Sequence, residues 1–194
     1  MVREEALWIR GVLERCAPAM LKEVLDVGSS TRDFRCCRQP YIEEEVFLPL
    51  QQKGIHVYHL DAKAGEGIDY ACDVNTLKAE ELGRKFDLVI CANLLEHVTR
   101  PEQVALLLKG LVKEKGFLLV SVPGAYRYHP DPIDTRFRPS MQRLLNLFDD
   151  MEIVDKKIVR IKDRERYRRR WDEQLRYHIP FLNWKINCLL LRKR

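Results

Sequence analysis

The chain has 194 residues, 46% of them hydrophobic and 32% charged, and a formal net charge of +5. This length suits one domain with a buried core, and the composition excludes the disordered, collagen-like and low-complexity classes. The charge is local, because the segment 156–170 carries a net +7 and the remainder is net negative. Nucleic acid is therefore not the expected partner.

Acidic residues interrupt the amino-terminal apolar positions, so we expect no signal peptide. No stretch approaches the roughly 18 apolar residues that span a bilayer. The six cysteines show neither a CxxC pair nor zinc-site spacing, which favours free thiols. We predict a cytoplasmic protein, monomeric or homodimeric, with no transmembrane segment; peripheral contact with an anionic surface stays open.

In chain order, short apolar runs bounded by turn residues alternate with segments of helical periodicity. The predicted helices are an amphipathic segment at 1–20, a second at 41–53 that Pro49 should bend or end early, a third after Pro101 and a fourth after Ser140. The predicted strands are 23–28, 55–60, 68–72, 86–91 and 117–122, followed by an antiparallel pair at 151–161 and 186–191.

This alternation predicts an α/β fold within a single domain, 1–194. We expect a Rossmann-like, doubly wound, mostly parallel seven-stranded sheet with helices on both faces and an antiparallel C-terminal strand. Thr99 and Glu102, spaced as in a capping box, should begin the third helix.

The segment 155–185 is predicted to be a basic and aromatic insertion before the last strand. Tyr167, Trp171 and Leu175 follow at steps of four, so they should anchor one side of a helix while the arginines stay solvated. The alternatives are an anionic substrate or lipid surface and, less favoured, nucleic acid.

Polar residues follow the predicted strands at the edge where such sheets bind ligands. Gly28 permits a turn that brings backbone N–H groups close to a ligand. The Asp61 carboxylate is suited to accept hydrogen bonds from both hydroxyls of a ribose, and Asp73 from an exocyclic amine. Together these strand ends suit an adenosine.

Five segments in order, among them VLDVGSST, FDLVICANLLEHV and GFLLVSVPG, make residues 24–148 resemble the class I S-adenosylmethionine-dependent methyltransferases, in particular small-molecule "type 11"-like members. The resemblance implies S-adenosylmethionine as cofactor, S-adenosylhomocysteine as product, and methyl transfer to an oxygen or nitrogen of a small-molecule or glycan-like acceptor. The implied cofactor-binding residues are Asp26, Gly28, Ser29, Ser30, Asp61, Ala62, Cys72, Asp73, Val74, Ala92 and Asn93.

Ser30 and Arg32 stand where the family usually has glycine, so the alternative is a catalytically inactive adenosyl-binding or scaffolding protein. The segment 31–40, with Arg32, Arg35 and Arg38, is predicted to be an inserted loop. It either covers the cofactor, recognises an anionic substrate or is a solvated surface loop. A nicotinamide-dependent oxidoreductase is less favoured, because a full G-x-G-x-x-G is missing.

The catalytic candidates are His97, His129 and Asp131. The imidazole of His97 is suited to act as a general base, but His97 and Glu96 are equally suited to cap and pack the next helix. Some family members that methylate phenolic hydroxyls resemble this chain in having a Glu-His pair here, around a metal; we predict no metal.

The candidates for substrate binding are Glu96, Tyr126, Asp134, Arg136 and Arg138. Most lie on the proline-rich segment 126–139, which directly follows a strand and is predicted to cover the substrate. Arg136 and Arg138 suit a carboxylate or phosphate. They are equally suited to pair with Asp131 and Asp134.

Overall fold

In the computed structural model, which describes residues 1–16, 21–130, 133–168 and 170–194, a seven-stranded sheet has the order β3-β2-β1-β4-β5-β7-β6. The strands are β1 (Glu23–Val27), β2 (His56–Asp61), β3 (Tyr70–Ala71), β4 (Phe86–Ala92), β5 (Val112–Ala125), β6 (Glu152–Arg160) and β7 (Lys185–Arg192). The first five run parallel, and β7 runs antiparallel between β5 and β6. The predicted Rossmann-like sheet is confirmed.

The helices lie on both faces of this sheet. They are α1 (Arg3–Cys16), α2 (Leu48–Gln51), α3 (Pro101–Leu111), α4 (Met141–Asn146) and α5 (Trp171–His178). One buried cluster joins α1 and α2 to the sheet, and another joins α3 and α4 to the opposite face. Buried on both faces, the central strands are near-continuous apolar runs, which made them readable in the sequence.

Two local expectations at helix starts are corrected. Thr99 does not cap α3; its hydroxyl lies 3.1 Å from Oδ1 of Asn75, and α3 begins with Pro101 and no side-chain cap. Pro49 does not end its helix, because a π-helical turn at Glu43–Phe47 runs directly into α2 and Pro49 lies in the first turn of α2.

The segment 31–40, predicted to be a loop, contains a π-helical turn at Phe34–Arg38 instead. Arg35 is buried and donates to the carbonyl oxygens of Ser30 and Gly67, while Arg32 and Arg38 are exposed and pair with Glu66 and Asp33. The arginines are therefore engaged by the protein itself, and Arg35 braces the loop that follows β1.

The basic segment also differs from expectation. Its first residues belong to β6, so the region before the last strand begins after Arg160 rather than at 155. Tyr167 is buried in a 3₁₀ turn, and α5 begins only at Trp171; Trp171 is 77% exposed and Leu175 49% exposed. The predicted three-residue anchor is wrong, because Tyr167 does not share a helix with the other two.

Within the described residues, no helix is both long and apolar enough to cross a membrane.

Candidate active site

A cavity of about 560 Å³ opens where the parallel strands end. All but two of the predicted cofactor-binding residues line it: Gly28, Ser30, Asp61, Ala62, Cys72, Asp73, Val74, Ala92 and Asn93. His97, Tyr126 and His129 line it as well. One cavity therefore joins the residues predicted to hold an adenosine to those predicted to meet an acceptor.

Gly28 makes the turn that shapes the cavity floor. Its φ is +79°, and a Cβ there would lie 2.9 Å from Cδ1 of Leu94, so only glycine fits without a shift. Ser30, where the family usually has glycine, adopts φ +56° and donates its backbone N–H to Oδ2 of Asp61 at 2.7 Å. The serine thus keeps a left-handed backbone conformation.

Asp61 and Asp73 lie on the wall of this cavity, as the adenosine prediction requires. Oδ1 of Asp61 also accepts from the backbone N–H of Lys63 at 2.9 Å, and Oδ1 of Asp73 accepts from that of Asn75 at 2.9 Å. A carboxylate offers about four lone-pair positions, so both retain capacity for ligand hydroxyls and amines. The local bonds fix the direction of the carboxylates.

Asp26 and Ser29, both predicted to bind the cofactor, do not line the cavity. Side chains alternate between the faces of β1, and Asp26 packs against the neighbouring strand, where its Oδ2 lies 3.3 Å from Nδ1 of His59. Ser29 is buried and donates its hydroxyl to the carbonyl oxygen of Ser30. Both side chains therefore contact other residues of the protein near the turn at Gly28 and do not face the cavity.

Glu5 of α1 was missed by the sequence analysis as a site residue. The two oxygens of its buried carboxylate accept from Nδ2 of Asn93 at 2.9 and 3.0 Å, and Oε1 also accepts from the hydroxyl of Ser121. Asn93 has φ +53°, so Glu5 holds a strained residue on the cavity wall. No local sequence pattern signals a contact across 88 residues.

Three aromatic rings, those of His97, Tyr126 and His129, line the end of the cavity that is predicted to meet an acceptor and is called the acceptor end below. The His97 and His129 centroids are 5.1 Å apart, and Tyr126 lies 5.2 Å from His129. Burial, with a contribution from nearby His97, lowers the pKa of His129, which favours its neutral form. The Glu96 side chain lies beneath these rings with no exposed surface, and burial raises its pKa to about 8.

The substrate-binding prediction for Asp134, Arg136 and Arg138 is not supported by their positions. Asp134 accepts from the Arg138 guanidinium at 2.7 Å and from the backbone N–H groups of His129 and Arg136, whereas the Arg136 guanidinium lies over the Tyr128 ring. Burial opposes ionisation of Asp134, but these bonds bring its pKa to about 2. The pair fastens the segment that carries His129; Asp131 lies outside the described residues.

Arg166 lines the cavity, and the sequence analysis did not single it out within the basic run. Its guanidinium donates to the hydroxyls of Tyr126 and Tyr41 at 3.3 and 3.1 Å. It brings a half-buried positive charge to the acceptor end. Its position depends on how the chain folds back after β6, which residue spacing does not reveal.

Comparisons with known proteins agree with this architecture. A family model described as a methyltransferase domain matches residues 3–183. A ubiquinone biosynthesis O-methyltransferase from Chromobacterium violaceum is 32% identical over 110 residues, which are 56% of this chain and 47% of that protein. The chain thus spans about half the length of this curated relative.

Solved structures share the fold at low identity. TehB from Haemophilus influenzae matches with a TM-score of 0.61 and 15% identity, over 96% of this chain and 62% of its own. Coclaurine N-methyltransferase, solved with N-methylheliamine and S-adenosylhomocysteine, matches with a TM-score of 0.62 and 16% identity, over 98% and 72%. The cyclase SpnF also matches, with a TM-score of 0.62 and 16% identity, over 97% and 80%.

Proposed function

Because this chain belongs to the methyltransferase-domain family, we propose that it transfers the methyl group of S-adenosylmethionine to an oxygen or nitrogen of a small-molecule or glycan-like acceptor. One observation carries the proposal: Asp61 and Asp73 share a cavity with His97 and His129. The cofactor and the acceptor would thus meet inside one enclosure.

The adenosine end holds the cofactor through groups that the fold has already oriented. Asp61 accepts hydrogen bonds from the ribose hydroxyls, Asp73 accepts from the adenine amine, and the turn at Gly28 lets the ligand approach the backbone. Coclaurine N-methyltransferase, which has this fold, was solved with S-adenosylhomocysteine, and this supports the choice of ligand.

At the acceptor end, much of the rate arises from holding a nucleophile in line with the cofactor's methyl group. S-adenosylmethionine itself supplies the activated methyl. In the ion-free protein, His97 is the candidate to receive the proton of an acceptor hydroxyl, because its Nδ1 contacts the carbonyl oxygen of Ile133 and its Nε2 is left to accept. Arg166 attracts an acceptor that carries an anionic group. The name of the Chromobacterium violaceum relative supports an oxygen acceptor.

The cofactor assignment is tested by titrating the protein with S-adenosylmethionine, S-adenosylhomocysteine and NAD in a calorimeter. We expect the first two to bind and NAD not to. Asp61→Ala removes charged hydrogen bonds worth about 2 kcal/mol, so its Kd should rise roughly 30-fold. Asp150→Ala, an exposed aspartate that pairs with Lys109, is the matched control and should bind like the wild type.

If Asp61→Ala bound S-adenosylmethionine as tightly as the wild type, the assignment of Asp61 to the ribose would be wrong. If the protein bound NAD alone, the choice of cofactor would be wrong. Turnover requires its own assay, with radiolabelled S-adenosylmethionine and a panel of phenols, carboxylates and amines. Tight binding of both adenosyl ligands without product across the panel would favour the inactive adenosyl-binding protein, for which Ser30 in place of glycine is the supporting feature.

A further inference from the structure

The Glu96 side chain is fully buried, yet neither of its carboxylate oxygens has a hydrogen-bond partner among the described residues. Its main chain is held firmly, because the Glu96 carbonyl oxygen accepts from both the N–H and the hydroxyl of Thr135. A buried carboxylate without donors is costly unless something compensates its charge. The proposed methyl transfer assigns it no role.

Two imidazoles face this carboxylate. Nε2 of His97 lies 3.8 Å and Nε2 of His129 4.0 Å from Oε1 of Glu96, too far for hydrogen bonds. The other ring nitrogens lie against backbone carbonyl oxygens, that of His97 at Ile133 and that of His129 at Arg127. Carbonyl oxygens only accept, so Nδ1 carries the hydrogen in each ring and Nε2 of the neutral ring presents a lone pair.

We propose that Glu96, His97 and His129 bind a divalent first-row transition-metal ion, with Zn²⁺ as the ion that best fits. Their ligand atoms all lie within 4.8 Å of one another. Two imidazoles and one carboxylate are a common protein ligand set for zinc with an open fourth position, whereas Mg²⁺ and Ca²⁺ prefer oxygen ligands. Carbonyl bonds to the second ring nitrogen are the arrangement that orients metal-binding histidines.

Binding an ion requires the three side chains to close together. Zinc bonds of about 2.0–2.2 Å place tetrahedral ligand atoms roughly 3.4 Å apart. Each Nε2 must therefore approach Oε1 of Glu96 by roughly 0.5 Å. The two ring nitrogens, which lie within 4.8 Å of each other, must close to the same spacing. His97 and His129 both line the cavity, and the open position would therefore face the acceptor end. Although the sequence analysis predicted no metal, it left His129 out of the comparison, because that residue lies 32 positions after His97 on another segment.

The experiment measures ion binding directly and does not depend on methyl transfer. Chelator-treated protein is titrated with Zn²⁺ in a calorimeter and with Co²⁺ in a spectrophotometer. We expect one ion per chain and, for Co²⁺, the visible absorption of low coordination number. Glu96→Gln and His129→Ala should each weaken binding more than tenfold, and Mg²⁺ should not compete.

Two control variants test whether other exposed side chains of the protein, outside the proposed site, bind the ion. His56→Ala removes an exposed imidazole on β2, and Cys37→Ser removes an exposed thiol; neither should change the affinity. Equal Zn²⁺ affinity in wild type and Glu96→Gln, or loss of binding in Cys37→Ser, would overturn the proposal. If His129→Ala does not fold, the near-isosteric Glu96→Gln decides alone, through a zinc-dependent rise in Tm that wild type shows and the variant lacks.

A metal-binding but inactive protein would count against the proposed methyl transfer and leave this site standing. An active enzyme that binds no ion would do the reverse.

Discussion

The two ends of the cavity are built differently. At the adenosine end, the Asp61 and Asp73 carboxylates accept from backbone N–H groups two residues further along the chain. At the acceptor end, His97 and Glu96 follow β4, His129 follows β5, and Arg166 follows β6. Both ends depend on the sheet, but short-range turns orient the carboxylates of the first end, whereas the second end brings together segments that follow three different strands.

Within the acceptor end, two buried carboxylates differ in their hydrogen-bond partners. Asp134 has a guanidinium and two backbone donors, and its pKa falls to about 2. Among the described residues, no group donates a hydrogen bond to the Glu96 carboxylate, and burial raises its pKa to about 8. Asp134 therefore stabilises the segment 126–139 through its bonds, whereas the Glu96 carboxylate makes no such bond to the described residues.

The largest expected effect concerns Asp134. Asp134→Ala leaves the Arg138 guanidinium, whose side chain is 15% exposed, without its carboxylate partner. Removing one partner of such a pair should lower the free energy of unfolding by about 3 kcal/mol. Chemical denaturation measures this, with Asp150→Ala expected within about 0.5 kcal/mol of wild type. Equal losses in the two variants would mean that the Arg138 pair does not fasten this end.

A smaller loss of stability is expected at Gly28, where comparison with Gly54 distinguishes a steric clash from the cost of a left-handed backbone. Gly28→Ala and Gly54→Ala both place a side chain at positive φ, +79° and +76°, but only at Gly28 does the new Cβ meet Leu94. Each should lose about 1–2 kcal/mol for the left-handed backbone, and Gly28→Ala at least about 1 kcal/mol more. Only Gly28→Ala should also weaken S-adenosylmethionine binding; matching behaviour of both variants in denaturation and calorimetry would contradict the role of the turn.

The smallest effect is the pH dependence of the Asp134 pair. Its folded pKa of about 2 lies below the ordinary value of 3.8, so its ionisation stabilises the fold above pH 3.8 and this contribution is lost as the pH falls through 2. It amounts to about 2 kcal/mol. The difference in unfolding free energy between wild type and Asp134→Asn should shrink between pH 4 and pH 2; a constant difference would show that Asp134 ionises as it does in the unfolded chain.

Much of the fold was predictable because strands buried on both faces are continuous apolar runs, as in β1 and β4. The position of Asp61 and Asp73 in one cavity was predictable for a related reason, because the strand ends of a parallel sheet share one edge. Asp26, which was also predicted to bind the cofactor, does not line the cavity, because the alternation of side chains along β1 turns it towards His59.

What the sequence alone determined is the part that depends on neighbours in the chain, namely the alternation of elements and the turns with glycine or aspartate after each strand. Only the tertiary structure decided that Glu5 holds Asn93, that Arg35 braces the loop after β1, and that Glu96, His97 and His129 face one another. Periodicity and turn chemistry act over a few residues, whereas these contacts depend on where the packed sheet places distant segments.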